Sequence, residues 1–264
     1  MKSPMRNLLA LLVVLPTLAF AQRTVLEISG ANFRPMPLAV AVPQHQDEGA
    51  RAAAVEFDAA LTWDLAACGL FQVLDRKSFL ADPKEGLTAQ TIAFNRWSDV
   101  GAESLVKTQL SVEGGNLKGE LRLFSVGASR EELKVSETVP LKDARRLAHK
   151  LANALYKFYT RETGPFESRI AFTRKSPSGR DVYVADWDGK NATRVTNGDI
   201  NVLPALIPGG GVAFTSYKNK YPFLYAWRGG EAVKVLGDKG SMVSGVAYSP
   251  DGKQLAATVA ENNG

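Results

Sequence analysis

The chain has 264 residues, 45% of them hydrophobic and 22% charged. That composition suits a soluble globular protein of one large domain or two ordinary ones, and disorder is not expected. The net charge is +5, yet no basic run is longer than a pair such as Arg145-Arg146 or Arg174-Lys175, which argues against nucleic acid as a partner. Cys68 is the only cysteine, so an intramolecular disulfide is excluded, and its apolar setting suits a small buried hydrophobe better than a nucleophile.

Lys2 and Arg6 precede an apolar run from Leu8 to Leu18, and Ala19-Phe20-Ala21 follows as a small-x-small site. This is the layout of a secretory signal peptide (residues 1–21), with cleavage expected between Ala21 and Gln22. No cysteine follows the run, so no lipid anchor is expected there, and no other stretch is long enough to insert into a membrane. Loss of Lys2 and Arg6 lowers the charge from +5 to +3, a mildly basic surface for an exported protein.

Residues 22–33 form a short segment that is β-prone at Thr24, Val25, Leu26, Glu27 and Ile28 and turn-rich after Gly30. It reads either as a first strand of the next domain or as a strand offered to another protein's sheet edge. Residues 34–163 mix helices and strands. Pro37 to Pro43 reads as a buried strand, and a helix follows from Asp47-Glu48 through Ala67, with a face at Val55, Ala59, Thr62, Trp63 and Ala66 and a stop at Gly69. Phe71 to Asp75 closes a β-α-β unit. A short helix is expected around Thr91 to Trp97. A hairpin turns at Glu113-Gly-Gly-Asn116, and a strand spans Leu133 to Val139. An amphipathic helix covers Leu141 to Thr160, with Leu147, Leu151, Ala154, Leu155, Phe158 and Tyr159 on its apolar face. Gly164-Pro165 marks a boundary.

Residues 164–264 carry an internal repeat. Arg169-Ile-Ala-Phe-Thr173 is echoed by Gly211-Val-Ala-Phe-Thr215 and Gln254-Leu-Ala-Ala-Thr258, at spacings of 42 and 43 residues. Asp181 to Ala185 matches Phe223 to Trp227, and Arg194-Val-Thr196 matches Lys234-Val-Leu236. Several short strands and a turn in such a period are the pattern of a β-propeller blade. Two full units and the opening of a third are present, whereas closure needs about four to eight blades. The sequence is therefore expected to be part of a longer protein, or to close with other chains. The fold class expected is an α/β domain followed by an all-β propeller.

The patterns for nucleophilic, zinc-dependent or phosphate-loop chemistry are missing: no Gly-x-Ser-x-Gly, His-Glu-x-x-His or Gly-x-x-x-x-Gly-Lys-Ser/Thr occurs. The only histidines, His45 and His149, are expected as surface or packing residues, in a polar loop and on the long basic helix. Asp186, Asp188 and Asp199 fit turns better than a calcium loop. No enzyme activity, metal or cofactor is expected. A rival reading is the propeller of an exported serine peptidase whose catalytic domain lies beyond Gly264. A carbohydrate-binding propeller would want clustered aromatics, and Trp187 and Trp227 read more simply as blade packing.

Arg34-Pro-Met-Pro-Leu-Ala-Val-Ala-Val-Pro43, Asp64-Leu-Ala-Ala-Cys-Gly-Leu-Phe71, Gly119-Glu-Leu-Arg-Leu-Phe-Ser-Val126, Arg146 to Tyr156, Gly164 to Phe172, Ala185-Asp-Trp-Asp-Gly189 and Tyr248-Ser-Pro-Asp-Gly252, in that order, resemble the TolB family. Ile207-Pro-Gly-Gly-Gly211 departs from that family's usual Ser-Pro-Asp-Gly. The resemblance implies a six-bladed propeller and a non-enzymatic, monomeric periplasmic adaptor of the Tol–Pal system, serving outer-membrane integrity and division. It implies that Thr24 to Ile28 engage TolA, through β-augmentation, or fold back onto the protein's own domains. It implies that the peptidoglycan-associated lipoprotein Pal is bound by loops at the propeller mouth, here Asp199, Ile200, Asn201 and Val202 with Ser241, Met242, Val243 and Ser244. Colicins exploit the same surfaces in some bacteria.

Overall fold

The structure is a computed structural model that describes residues 33–261. The signal region, with Ala21 and Gln22, and the segment Thr24 to Ile28 lie outside the described residues. The first strands and helices are β1 (Met36–Val40), β2 (Gln44–His45), α1 (Gly49–Ala67), β3 (Phe71–Val73), α2 (Phe94–Asp99), β4 (Ser104–Glu113), β5 (Asn116–Ser125), β6 (Arg130–Pro140) and α3 (Ala144–Thr160). Nine strands at a shorter spacing follow among the described residues: β7 (Arg169–Ser176), β8 (Gly179–Asp186), β9 (Thr193–Arg194), β10 (Asp199–Leu206), β11 (Val212–Ser216), β12 (Phe223–Trp227), β13 (Val233–Leu236), β14 (Ser241–Tyr248) and β15 (Leu255–Glu261).

The first sheet runs β3-β1-β4-β5-β6, with β2 paired to β4. β1 is parallel to β3 and β4, as a β-α-β crossover requires, and β4, β5 and β6 form an antiparallel meander. The Glu113↔Asn116 pair leaves two residues for the β4–β5 turn. Gly114 and Gly115 take φ of 56° and 80° there, the left-handed pair a tight hairpin demands. Alternation along β1 sends Leu38 and Val40 to one face and Ala39 to the other. The Leu38 face, with Val106, Leu110, Leu117 and Leu121, packs under α1 and α3. The Ala39 face, with Leu105 and Phe124, is covered by Ile92 and Trp97.

α1 buries a different face from the one its apolar spacing suggests. Ala50, Ala53, Ala54, Phe57, Ala60, Leu61, Asp64 and Leu65 are buried, while Val55 is 70% and Trp63 43% exposed. The helix is apolar on nearly all sides, so periodicity alone does not choose a face; Phe57, Leu61 and Leu65 fill the larger volume beneath α3. Asp47 starts the helix from outside it: Oδ1 accepts the Ala50 N–H at 2.8 Å and Oδ2 the Val112 N–H at 3.0 Å, tying the helix start to β4. Gly69, at φ 75°, ends it as expected.

α2 begins three residues later than expected. Residues 88–91 form a turn closed by Thr91 N–H to Thr88 O at 2.9 Å, and the Glu85 carboxylate accepts the Ala93 N–H at 2.6 Å and Trp97 Nε1–H at 2.9 Å. The same carboxylate takes Lys107 Nζ at 2.9 Å in a buried ion pair. Burial pulls the lysine below its ordinary pKa, while Glu85 works to keep it charged. None of the helices among the described residues is long and apolar enough to cross a membrane.

The repeat is visible in the second part. β10, β11, β12 and β13 form an antiparallel meander, β7, β8 and β9 a three-stranded set, and β14 and β15 a hairpin. Phe172 stacks on its cross-strand partner Tyr183 at 5.6 Å, and Phe214 on Tyr225 at 6.3 Å, so the same aromatic pair recurs 42 residues on.

Gly119 on β5 faces α3 so closely that a Cβ there would lie 2.9 Å from Leu147 Cδ2 and 3.2 Å from Leu151 Cδ1. Gly119→Ala is expected to lower stability by about 1–3 kcal/mol through overpacking, read as a lower urea midpoint at unchanged slope.

Candidate functional site

The eight residues expected in loops open strands instead: Asp199 to Val202 begin β10, and Ser241 to Ser244 begin β14. They are taken up there by ties between successive sheets. Asp199 and Ile200 pair in parallel with Gly179 and Arg180 of β8, and Asn201 Nδ2 donates to Arg180 O at 3.1 Å and Gly198 O at 2.6 Å. Forty-two residues on, the Val243 N–H donates to Pro222 O at 2.8 Å, and Thr215 Oγ1 donates to Val243 O at 3.3 Å. Asn201 and Val243 are accordingly buried. Ile200 and Met242, one residue before each, are 48% and 51% exposed. Each segment therefore has a structural half and a presented half, and the presented apolar residue recurs at the repeat spacing.

Beside the first of these segments lies a buried carboxylate. Asp181 accepts Arg194 Nη2 at 2.5 Å, Thr196 Oγ1 at 3.1 Å and the Gly198 N–H at 2.9 Å. Burial raises its pKa, but the hydrogen bonds, including one from Ser176, outweigh that and hold it below the ordinary carboxylate value. Asp181 thus fixes the turn from which Asp199 departs.

A second constellation sits where the α/β layer meets the first of the β-sheets. His149, expected at the surface or as plain packing, is buried on α3, and its Nδ1 lies 2.7 Å from Asp64 Oδ2 on α1. Its Nε2 lies 3.5 Å from Asp188 Oδ2, in the turn after β8. Arg145, one helical turn before His149, pairs with the same Asp188, so it does more than solvate the helix. Asp188 Oδ1 also accepts the Lys190 N–H at 2.9 Å, the turn duty expected of it. Trp187 is not a blade-packing residue: it packs on the α/β core, edge-on to Trp63 and to Phe166, both at 6.0 Å. Trp227, by contrast, packs within the sheets. Burial raises the Asp64 pKa, and His149 and Arg145 oppose that rise. The signal that locates this joint is a histidine among the charged residues of α3, four residues from Arg145, whose meaning depends on a partner 85 positions away in sequence.

His45 is exposed on β2, far from His149 in the sequence. Among the described residues no three His, Cys, Asp or Glu side chains are grouped to hold a metal ion. Cys68 is half-buried, its thiol raised by burial and donating to Leu65 O at 3.3 Å.

An α/β layer with two helices on one face, followed by repeated antiparallel sheets, defines the class. The family model described as the TolB amino-terminal domain matches residues 24–132. A Tol-Pal system protein TolB from Myxococcus xanthus is 57% identical over 216 residues, 81% of this chain and 50% of that protein. One from Anaeromyxobacter dehalogenans is 41% identical over 251 residues, 94% of this chain and 57% of that protein. A crystal structure of TolB from Acinetobacter baumannii shares the fold, with a TM-score of 0.72 at 21% identity over 91% of this chain and 59% of that one. Over the stretch it spans the chain matches TolB proteins, and it covers about half the length of the curated relatives it matches.

Asp181→Ala is expected to cost about 2–3 kcal/mol at neutral pH, because it removes the buried acceptor that Arg194, Thr196 and the Gly198 N–H share. A carboxylate with a lowered folded-state pKa stabilises above its unfolded value near 3.8 and loses that contribution as pH falls through the lowered value. The difference between the two proteins should therefore shrink on the acid side, as seen in urea midpoints across a pH series.

Proposed function

We propose that the chain is a non-enzymatic adaptor of the Tol–Pal system, exported to the periplasm, with residues 34–163 as its α/β domain and residues 164–264 as the opening blades of a propeller. The 57% identity to a Tol-Pal system TolB over 216 residues carries this reading. In it, Thr24 to Ile28 add as a strand to TolA, and the propeller face takes Pal, contributing to envelope integrity during division. The recurrence of exposed Ile200 and Met242 beside buried Asn201 and Val243 supports the second contact. An apolar side chain presented at the same point of successive blades is what a partner seated over a propeller mouth would bury.

The test is binding of purified Pal to the protein extended to the full length of its relatives. Ile200→Asp with Met242→Asp should weaken binding by about 100-fold or more, as loss of hot-spot residues does, while leaving the thermal midpoint nearly unchanged. Absence of wild-type binding at high micromolar Pal, or wild-type affinity in the double variant, would remove the proposed contact.

A further inference from the structure

The joint between the α/β layer and the first β-sheet is short of hydrogen-bond partners. Among the described residues, four buried side-chain polar atoms at this joint make no hydrogen bond: Asp64 Oδ1, Arg145 Nε, His149 Nε2 and Trp187 Nε1; Asp188 Oδ2 is held by its ion pair with Arg145. Buried polar groups are normally paired, and a cluster that is not is one whose arrangement a single proton can change. It borders a cleft of about 490 Å³ between α3 and the segment entering β7.

The two nitrogens of His149 serve different parts of the molecule. Nδ1 at 2.7 Å from Asp64 stays within the α/β layer, and Nε2 at 3.5 Å from Asp188 crosses to the sheets. A neutral ring that donates from Nδ1 to Asp64 turns the Nε2 lone pair toward a carboxylate oxygen, two acceptors facing one another. An imidazolium donates from both nitrogens. The difference between the two states therefore falls on the crossing contact. Charges facing the ring are Asp64 on α1, Arg145 on its own helix and Asp188 on the turn. Farther out, the cleft sets Glu56, Asp143, Glu167 and Asp186 against Lys142, Arg146 and Arg169. With His149 neutral, two inner carboxylates share one arginine; with it charged, the inner set balances. Arg145 holds Asp188 in either state, so the change is a loosening rather than a separation.

We propose that His149 is a proton-operated latch: protonated, it bridges Asp64 to Asp188 and fastens the α/β layer to the first β-sheet; neutral, it keeps Asp64 and releases Asp188. The ratio of closed to open changes about tenfold for each unit by which the His149 midpoint differs between the two arrangements. This goes beyond the Tol–Pal reading and stands whether or not Pal is the partner.

The test uses the full chain with spin labels at Lys118→Cys on β5 and Lys175→Cys on β7, in a Cys68→Ala background. Distances between the labels are measured from about pH 5 to about pH 9, the range in which histidine changes charge. The ring protons of His149 are followed by NMR in the same protein; only two histidines are present, so assignment needs only His149→Gln. The distance distribution should broaden as pH rises, with the His149 midpoint, and should be pH-invariant in His149→Gln. Asp188→Asn leaves the Asp64–His149 contact in place and should also abolish the response. Distances that stay fixed while His149 titrates would overturn the latch. So would a response that persists in His149→Gln, or a His149 ring that does not titrate in this range.

Discussion

The packing of Trp187 against Trp63 and Phe166, with Asp188 beside it turned toward Arg145 and His149, is the contact on which the arrangement of the whole molecule depends. Everything else in the α/β layer is locally self-sufficient. Its helices share one core with five strands, and its second face is closed by Trp97 and the Glu85 clamp. The repeated sheets likewise hold one another through the first residues of β10 and β14. The turn after β8 places side chains in both parts, and Phe166 and Glu167, ahead of β7, reach the same layer through Tyr156 and Asn153. Aromatic burial supplies the attraction there, and the buried charges fix the geometry, because a charge held out of water tolerates few positions.

The same economy explains the two halves of the segments that open β10 and β14. Each of these strands is tied to the sheet before it through the inward residues Asn201 and Val243. Alternation then sends the residue before each one outward, at 48% and 51% exposure for Ile200 and Met242. A surface for a partner thus arises from the repeat without any added loop. In the proposed adaptor, the joint would then decide how firmly that surface is carried by the α/β layer.

Much of the fold was legible in the sequence because its signals are local. Gly114 and Gly115 announce a hairpin, Pro37 and Pro43 bound a buried strand, and the 42-residue echo predicts that Phe214 and Tyr225 repeat Phe172 and Tyr183. Two kinds of signal failed. α1 is alanine-rich and apolar all round, so its spacing pointed to Val55 and Trp63 rather than Phe57, Leu61 and Asp64. The roles of His149, Arg145, Asp188 and Trp187 depend on partners from 21 to 124 positions away, which no window of sequence reveals. The residues expected in loops at the propeller mouth open strands instead. Their loop-like composition belongs to strand starts, where half of them serve the fold.

Scanning calorimetry tests the central claim, that this joint makes one cooperative unit of the two parts. The wild-type chain should unfold in a single transition whose calorimetric and van't Hoff enthalpies agree, and Trp187→Ala should split it in two. Two transitions already in the wild type, or a single unshifted one in Trp187→Ala, would contradict the account.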